Sequence, residues 1–243
     1  MDERGMDERA RTVAAHWDLT VAAFDDEPDH GLRDPAVRRA WAGRLAGWLP
    51  GDASDVLDAG CGTGTLSVLL AEDGHRVTGV DLAPGMVAAA EAKAARAGVP
   101  AAFLTGDAAD PPTGGRRFDV VLARHLLWTL PDPHAALRAW TARLRPGGRL
   151  VLVEGRWEQP AGAPPPYGGA AGPLPWQDGV GAPELADAVR AAAASVLGGR
   201  AGGPEIRVEP LDGDPALWGR PVTDERYALT ALIPGPPGRT SRR

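Results

Sequence analysis

The sequence predicts an α/β fold, a parallel β-sheet covered by helices on both faces. Three observations predict it. Between residues 55 and 154, short continuous apolar runs of strand length alternate with helical patterns, the layout that parallel sheets require. The first such run leads through a glycine-rich turn into a helix and then a second strand ending on an acid, in outline the layout of a dinucleotide-binding unit. Polar residues suited to ligand contact fall at the carboxyl ends of successive strands, where open α/β sheets hold their ligands.

Each element follows from local pattern. Residues 1–10 repeat MDER and carry no apolar periodicity, so they are expected to fray. From Arg11 to Phe24, the spacing of Val13, Trp17, Val21 and Phe24 gives one apolar helical face. A polar turn, DDEPDHGLR, follows. Asp34-Pro35 then reads as N-cap and first helical residue of a helix that buries Val37, Trp41, Leu45, Trp48 and Leu49. Val56 to Ala59 is the first strand, Leu66 to Ala71 a helix, and Arg76 to Val80 the second strand, ending on Asp81. Pro84 to Ala97 is helical, stopped by Gly98 and Pro100. Ala101 to Leu104 and Phe118 to Ala123 are the third and fourth strands. A helix begins at Asp132-Pro133, and Arg149 to Glu154 is the fifth strand. Gly155 to Gly181 is rich in Gly and Pro, the composition of a functional lid or a linker. Pro183 to Leu197 returns to helix. Ile206 to Leu211 and Arg226 to Ile233 read as an antiparallel strand pair at one sheet edge.

The expected organisation is thus a frayed N-terminus (1–10), a helical cap (11–50), a ligand-binding core (51–154), a Gly/Pro-rich lid or loop (155–181), a helix and strand pair completing the sheet (182–233) and a disordered tail (234–243). With 243 residues and 44% hydrophobic content the chain can bury a sizeable core. A net charge of -6 speaks against a protein held on nucleic acid by phosphate contacts. A single cysteine excludes an internal disulfide framework. No apolar run reaches the ~18 residues of a membrane span, and the charged N-terminus lacks a signal-peptide core. A cytoplasmic, soluble monomer or homodimer is expected, without a membrane partner. No His, Cys or Asp cluster has metal-ligand spacing, so no metal is expected.

The glycines Gly60, Gly62 and Gly64 stand at alternate positions after Asp58. Bare backbone can approach a ligand closely, because no side chain intervenes. The pattern is G-x-G-x-G, not the G-x-G-x-x-G of a pyrophosphate site. Together with TGVDLAPGMV, LTGDAAD, FDVVLARHLLWTL and LRPGGRLVLVE, the run DVLDAGCGTG makes residues from about Ser54 to Glu154 resemble a class I S-adenosylmethionine (SAM)-dependent methyltransferase of the bacterial small-molecule type.

That resemblance implies a Rossmann-like sheet of seven strands in the order 3-2-1-4-5-7-6, the last antiparallel, with an N-terminal helical cap. It implies SAM as cofactor and S-adenosylhomocysteine as product. Gly60, Cys61, Gly62 and Gly64 would form the cofactor loop, with Asp58 fixing the loop or meeting the cofactor's ammonium. Asp81 would accept hydrogen bonds from the ribose, Leu82 and Met86 would lie by the adenine, and Asp107 and the Ala108 amide would meet its polar edge. Arg124 would sit by the methionine part. Cys61 is expected to pack rather than react, since no base is suggested nearby.

A sulfonium methyl is already activated, so the protein needs mainly to align an acceptor and exclude water. His125, just after the fourth strand, and His30, in the cap, are the candidate bases or orienting groups; a turn-stabilising role is the alternative for each. Trp17, Trp128, Trp157 and Trp176 are the candidate acceptor walls, with core packing as the alternative for Trp17 and Trp128. The expected activity is methyl transfer to N or O of a small molecule, such as a secondary metabolite. A non-catalytic SAM-binding regulator and an NAD(P)-dependent oxidoreductase on a similar sheet stay open at this point.

Overall fold

The computed structural model describes residues 8–157, 166–169, 172, 174–198 and 202–234. The expectations for residues 1–7 and 235–243, and for most of 158–173, lie outside these. Seven strands form one sheet in the order β3-β2-β1-β4-β5-β7-β6. They are β1 (Asp55–Ala59), β2 (Arg76–Asp81), β3 (Ala101–Thr105), β4 (Phe118–Arg124), β5 (Leu144–Arg156), β6 (Glu205–Pro210) and β7 (Glu225–Leu232). β7 runs antiparallel to both β5 and β6, while β1 to β5 pair parallel throughout. The seven-strand α/β fold expected from the sequence is the one observed.

Helices α1 (Glu8–Phe24), α2 (Pro28–Gly31) and α3 (Pro35–Trp48) precede the sheet; α4 (Thr65–Glu72), α5 (Pro84–Ala97), α6 (Pro133–Ala142), α7 (Ala182–Leu197) and α8 (Pro215–Trp218) connect its strands. Capping explains several boundaries. Asp34 accepts from the Ala36 amide at the start of α3, and Asp132 from the Ala135 amide at the start of α6, each satisfying a backbone donor that the first helical turn leaves free. Gly98 and Gly198 end α5 and α7 in the left-handed region, where a side chain would be strained.

Both faces of the central strands are buried, while the edge strands β3 and β6 are largely exposed. On one, Leu57, Val121, Leu150 and Leu229 pack with Leu137 and Trp140 of α6 and Val189 of α7. On the other, Val56, Leu122 and Val151 pack with Trp41 and Leu45 of α3, Leu69 of α4 and Trp218 of α8. Each buried indole here finds a carbonyl: Trp41 donates to Leu217, Trp218 to Leu211 and Trp140 to Ala108. These bonds remove the cost of burying an N–H. The last also fixes the backbone just beyond β3.

Local departures from expectation have physical causes. The turn after α1 contains α2, nucleated by Pro28 at its first position. β5 begins at Leu144, five residues before the expected Arg149, because the Arg145–Gly148 turn joins the sheet through a shift in register against β4. Glycine at position 148 is required there: a Cβ would lie 2.9 Å from the Arg145 carbonyl oxygen.

Candidate active site

The parallel strands bring the ends of β1, β2, β3 and β4 to one edge. Ala59 pairs in register with Val80 and Ala123, and Asp81 with Thr105, so Gly60, Asp81, Asp107 and Arg124 emerge side by side. A cavity of ≈ 610 Å³ opens over this edge, roofed by α1 and the α2 region, a volume within the range of small-molecule sites.

The floor is the loop between β1 and α4. The amides of Gly60 and Cys61 both donate to the Val80 carbonyl, at 2.8 and 3.0 Å, which folds the loop back over β2. Gly60 and Gly62 hold φ of 72° and 52°, conformations open to glycine at little cost. The Gly62 amide donates to Asp81 Oδ2 at 2.8 Å and the Ala83 amide to Asp81 Oδ1 at 3.0 Å. Asp81 therefore shapes the loop as well as facing the cavity. Burial pushes its carboxyl up, and the amides of Ala83, Gly62 and Leu82 pull in the other direction. Asp58, buried behind the loop, accepts from Ser67 Oγ at 2.5 Å; burial raises its pKa to about 6. Cys61 is buried, and burial with the nearby Asp58 charge pushes its thiol up, which stands against a nucleophilic thiolate.

Leu82, Met86, Asp107 and Ala108 line the next part of the cavity. Met86 is buried, and Asp107 accepts from the Ala109 amide at 2.8 Å. Gly60, Cys61, Gly62, Asp58, Asp81, Arg124, His125, His30, Trp17, Trp128 and Trp157 also reach it. Two candidates do not. Gly64 caps α4 at φ 75°, where a Cβ would meet the Ala90 Cβ at 2.6 Å and Phe103 at 3.1 Å; it serves close packing of α4 on α5. Trp176 is buried in the core on the α7 side, its indole donating to Glu184 and its ring edge against His134. The nearby Leu185 and Val189 supply the apolar surface that draws it there, away from the cavity.

Arg124 and His125 touch the cavity interior but are otherwise enclosed by protein. The Arg124 guanidinium donates to the Asp29 carbonyl and lies 5.0 Å over Trp41; burial lowers its pKa against the pull of Asp29, Asp58 and Asp25. His125 adopts φ 52°, a strained setting for a side chain. Its amide donates to Val153, and the Leu126 and Leu127 amides donate to Glu154 Oε1 at 3.1 and 3.0 Å. Burial, with the Arg124 and Arg226 charges, drives the His125 pKa well below the ordinary histidine value, so the imidazole is neutral at neutral pH. Its Nδ1 has no hydrogen-bond partner. His30 stacks on Phe24 at 4.4 Å, and burial and Arg124 lower its pKa against the pull of Asp29.

Several contributors escaped the sequence reading. Phe24 closes on the loop, 3.3 Å from where a Gly62 Cβ would stand. Lys93 binds Asp25 Oδ2 at 2.8 Å and the Thr63 and Thr65 hydroxyls at 2.9 and 2.5 Å, tying the cap to the loop and to α5. Glu154 is wholly buried, with its pKa raised to about 8 by burial. Tyr167 stacks at 5° on Trp128, 6.3 Å between centroids. Of these, Phe24 showed in the sequence only as part of an apolar helical face and Glu154 only as an acid ending an apolar strand.

The residues present fit a SAM-type ligand. At Gly60 and Gly62 the loop contributes backbone only, with Leu126 and Phe24 standing 2.8 and 3.3 Å from where a Cβ would lie; Asp81 presents a carboxylate beside it, and Leu82 and Met86 offer an apolar wall. Comparison with known proteins agrees. Residues 56–148 match the methyltransferase domain family. Over 100 residues the chain is 42% identical to a ubiquinone biosynthesis O-methyltransferase of Methylobacterium nodulans, covering 41% of this chain and 40% of that protein. Matches to other proteins of that name reach 61% of each chain, so this chain matches less than two thirds of their length. Among solved structures, a Burkholderia thailandensis 1,6-didemethyltoxoflavin-N1-methyltransferase is 24% identical with TM-score 0.60, covering 94% and 92%. The [4+2]-cyclase SpnF is 23% identical with TM-score 0.61, covering 81% and 80%. These structural likenesses show the fold. Over residues 56–148 the chain is therefore similar to the methyltransferase domain family.

Proposed function

We propose that this protein methylates an oxygen or nitrogen atom of a small molecule. The observation that carries the reading is the convergence of Gly60, Gly62, Asp81, Asp107 and Arg124 on one cavity that also contains a neutral histidine and aromatic walls. Gly60, Cys61 and Gly62 would pass under the cofactor, Asp81 would hold the ribose, Leu82, Met86, Asp107 and Ala108 the base, and Arg124 the amino-acid part. SAM, when bound, would supply the methyl group on a sulfonium whose sulfide is the leaving group. The chain's own tasks are then few. The cap and the Gly/Pro-rich region (155–181) select the acceptor, Trp17, Trp128 and Trp157 exclude water from it, and His125 takes its proton.

The fold alone does not carry this reading, because the [4+2]-cyclase SpnF shares it. Two measurements test it. Titration calorimetry should show SAM binding and no comparable NAD binding. Turnover on a panel of phenols and amines, read by product mass, should show a gain of one methyl, and His125→Ala should lower kcat by about 10²–10⁴-fold with SAM affinity retained. Absence of SAM binding, or of turnover on every acceptor, overturns the reading.

A further inference from the structure

We infer that Glu154 is a positioning residue for methyl transfer: its carboxyl clamps the turn after β4 and so holds His125 and Leu126 against the cofactor floor. This rests on the methyl-transfer reading above and adds to it a residue outside the cavity lining.

Position is the first support. Arg124 to Leu126 and Trp128 to Pro131 form one wall of the cavity. The Leu126 side chain stands 2.8 Å from where a Gly60 Cβ would lie, so this turn and the glycine floor are in direct contact. β4 has ended here and α6 has not begun, so neither a strand nor a helix partner satisfies the Leu126 and Leu127 amides. Both donate to Glu154 Oε1, at 3.1 and 3.0 Å. The Thr129 amide and hydroxyl both donate to the Leu126 carbonyl, at 2.9 and 2.7 Å, so the turn is tied into one piece. His125 keeps φ 52° beside these bonds, a conformation that persists only where the surroundings impose it.

Enclosure is the second. Glu154 is fully buried, and only the Leu126 and Leu127 amides act against that burial. Its titratable neighbours offer no counter-charge. Tyr227, opposite it on β7, donates its hydroxyl to the Val180 carbonyl and is itself pushed up by burial and by the charges of Glu154, Glu225 and Glu184. His125 is neutral, Arg226 on β7 is paired with Asp224, and His134 of α6 lies against Trp176. The carboxyl therefore keeps its proton, with a pKa of about 8. Once ionised it is an enclosed charge without a partner. Water relieves that charge by parting the turn from β5, so the closed turn and the proton go together.

A pH dependence of binding follows. A ligand on the glycine floor needs Leu126 and His125 in place. Below about pH 8 the clamp is complete; above it, binding must draw a proton onto Glu154, and affinity falls as pH rises.

The test uses the full-length protein and S-adenosylhomocysteine, with affinity read by titration calorimetry between pH 7 and pH 9 and folding read by circular dichroism. Glu154→Gln keeps the acceptor oxygen and cannot ionise. Glu154→Leu keeps the bulk and removes the acceptor. Wild type and Glu154→Gln should agree within about 3-fold at pH 7, and by pH 9 wild type should have weakened by about 10-fold more than Glu154→Gln. Titrations common to both proteins, such as that of the ligand's amine, cancel in this comparison. Glu154→Leu should bind at least about 10-fold more weakly than wild type at pH 7 while folded. Parallel pH profiles for wild type and Glu154→Gln, or a folded Glu154→Leu with wild-type affinity, would each overturn the role of Glu154 while leaving methyl transfer standing. If Glu154→Leu does not fold, the Glu154→Gln profile alone decides. Failure of S-adenosylhomocysteine to bind wild type across the range would overturn the methyl-transfer reading, and this role with it.

Discussion

At the scale of single residues, the site depends on side chains that act on backbone. Asp81 sets the glycine loop by accepting two amides, and Glu154 sets the turn after β4 by accepting two more. Glu154 does this without exposure and with Oε2 unpartnered, so its carboxyl is held near pKa 8 by burial. Its folded value lies above the ordinary glutamate value. The folded protein therefore keeps a proton that the unfolded chain releases, and this group's stabilisation is full below about pH 4.5 and lost as pH rises toward 8. Glu154→Gln retains an oxygen acceptor and cannot ionise. Thermal melts should show the variant gaining on wild type as pH goes from 5 to 9, by about 5 °C or more at the alkaline end. A constant difference across that range would show that Glu154 is ionised in the fold.

At the scale of elements, the third glycine serves packing and the cap is fastened by charge. Gly64→Ala would force a left-handed alanine against Ala90 and Phe103, and should cost about 1–3 kcal/mol in denaturant unfolding. An unaffected midpoint would mean that α4 and α5 yield more readily than their spacing indicates. The fastening is the Lys93 cluster. Burial lowers the Lys93 pKa against the pull of Asp25, and Asp25 is held below the usual carboxylate range by Lys93 and Thr63, burial opposing them. Thr63 and Thr65 also line the cavity, so the same cluster couples cap closure to the ligand floor. Lys93→Met should speed SAM release by about 10-fold in stopped-flow measurements, the order of one lost charge-assisted hydrogen bond. An unchanged release rate would uncouple the cap from the loop.

At the scale of the whole molecule, the sheet was legible because its strands are continuous apolar runs punctuated by Gly and Pro. The convergence at its edge was legible because a parallel order places every strand end there. The glycine spacing, in contrast, gave no sign that Gly60 and Gly62 face the cavity while Gly64 packs helices; that depends on which neighbour approaches, here Ala90. Trp176 was misplaced for a related reason. Its glycine-rich surroundings suggest exposure, and only the fold shows α7 beneath it. Tertiary contacts such as Lys93 with Asp25, 68 positions apart, leave no local pattern. Among the described residues no helix is long and apolar enough to cross a membrane.

The central claim is that a SAM-type nucleoside is gripped at the tips of β1 to β4. Titration calorimetry with SAM on wild type and on the Asp81→Ala, Asp107→Ala double variant tests it most directly. Saturable one-to-one binding to wild type, weakened by about 100-fold or more in a variant that remains folded, is the predicted result; equal affinity for the two proteins would contradict it.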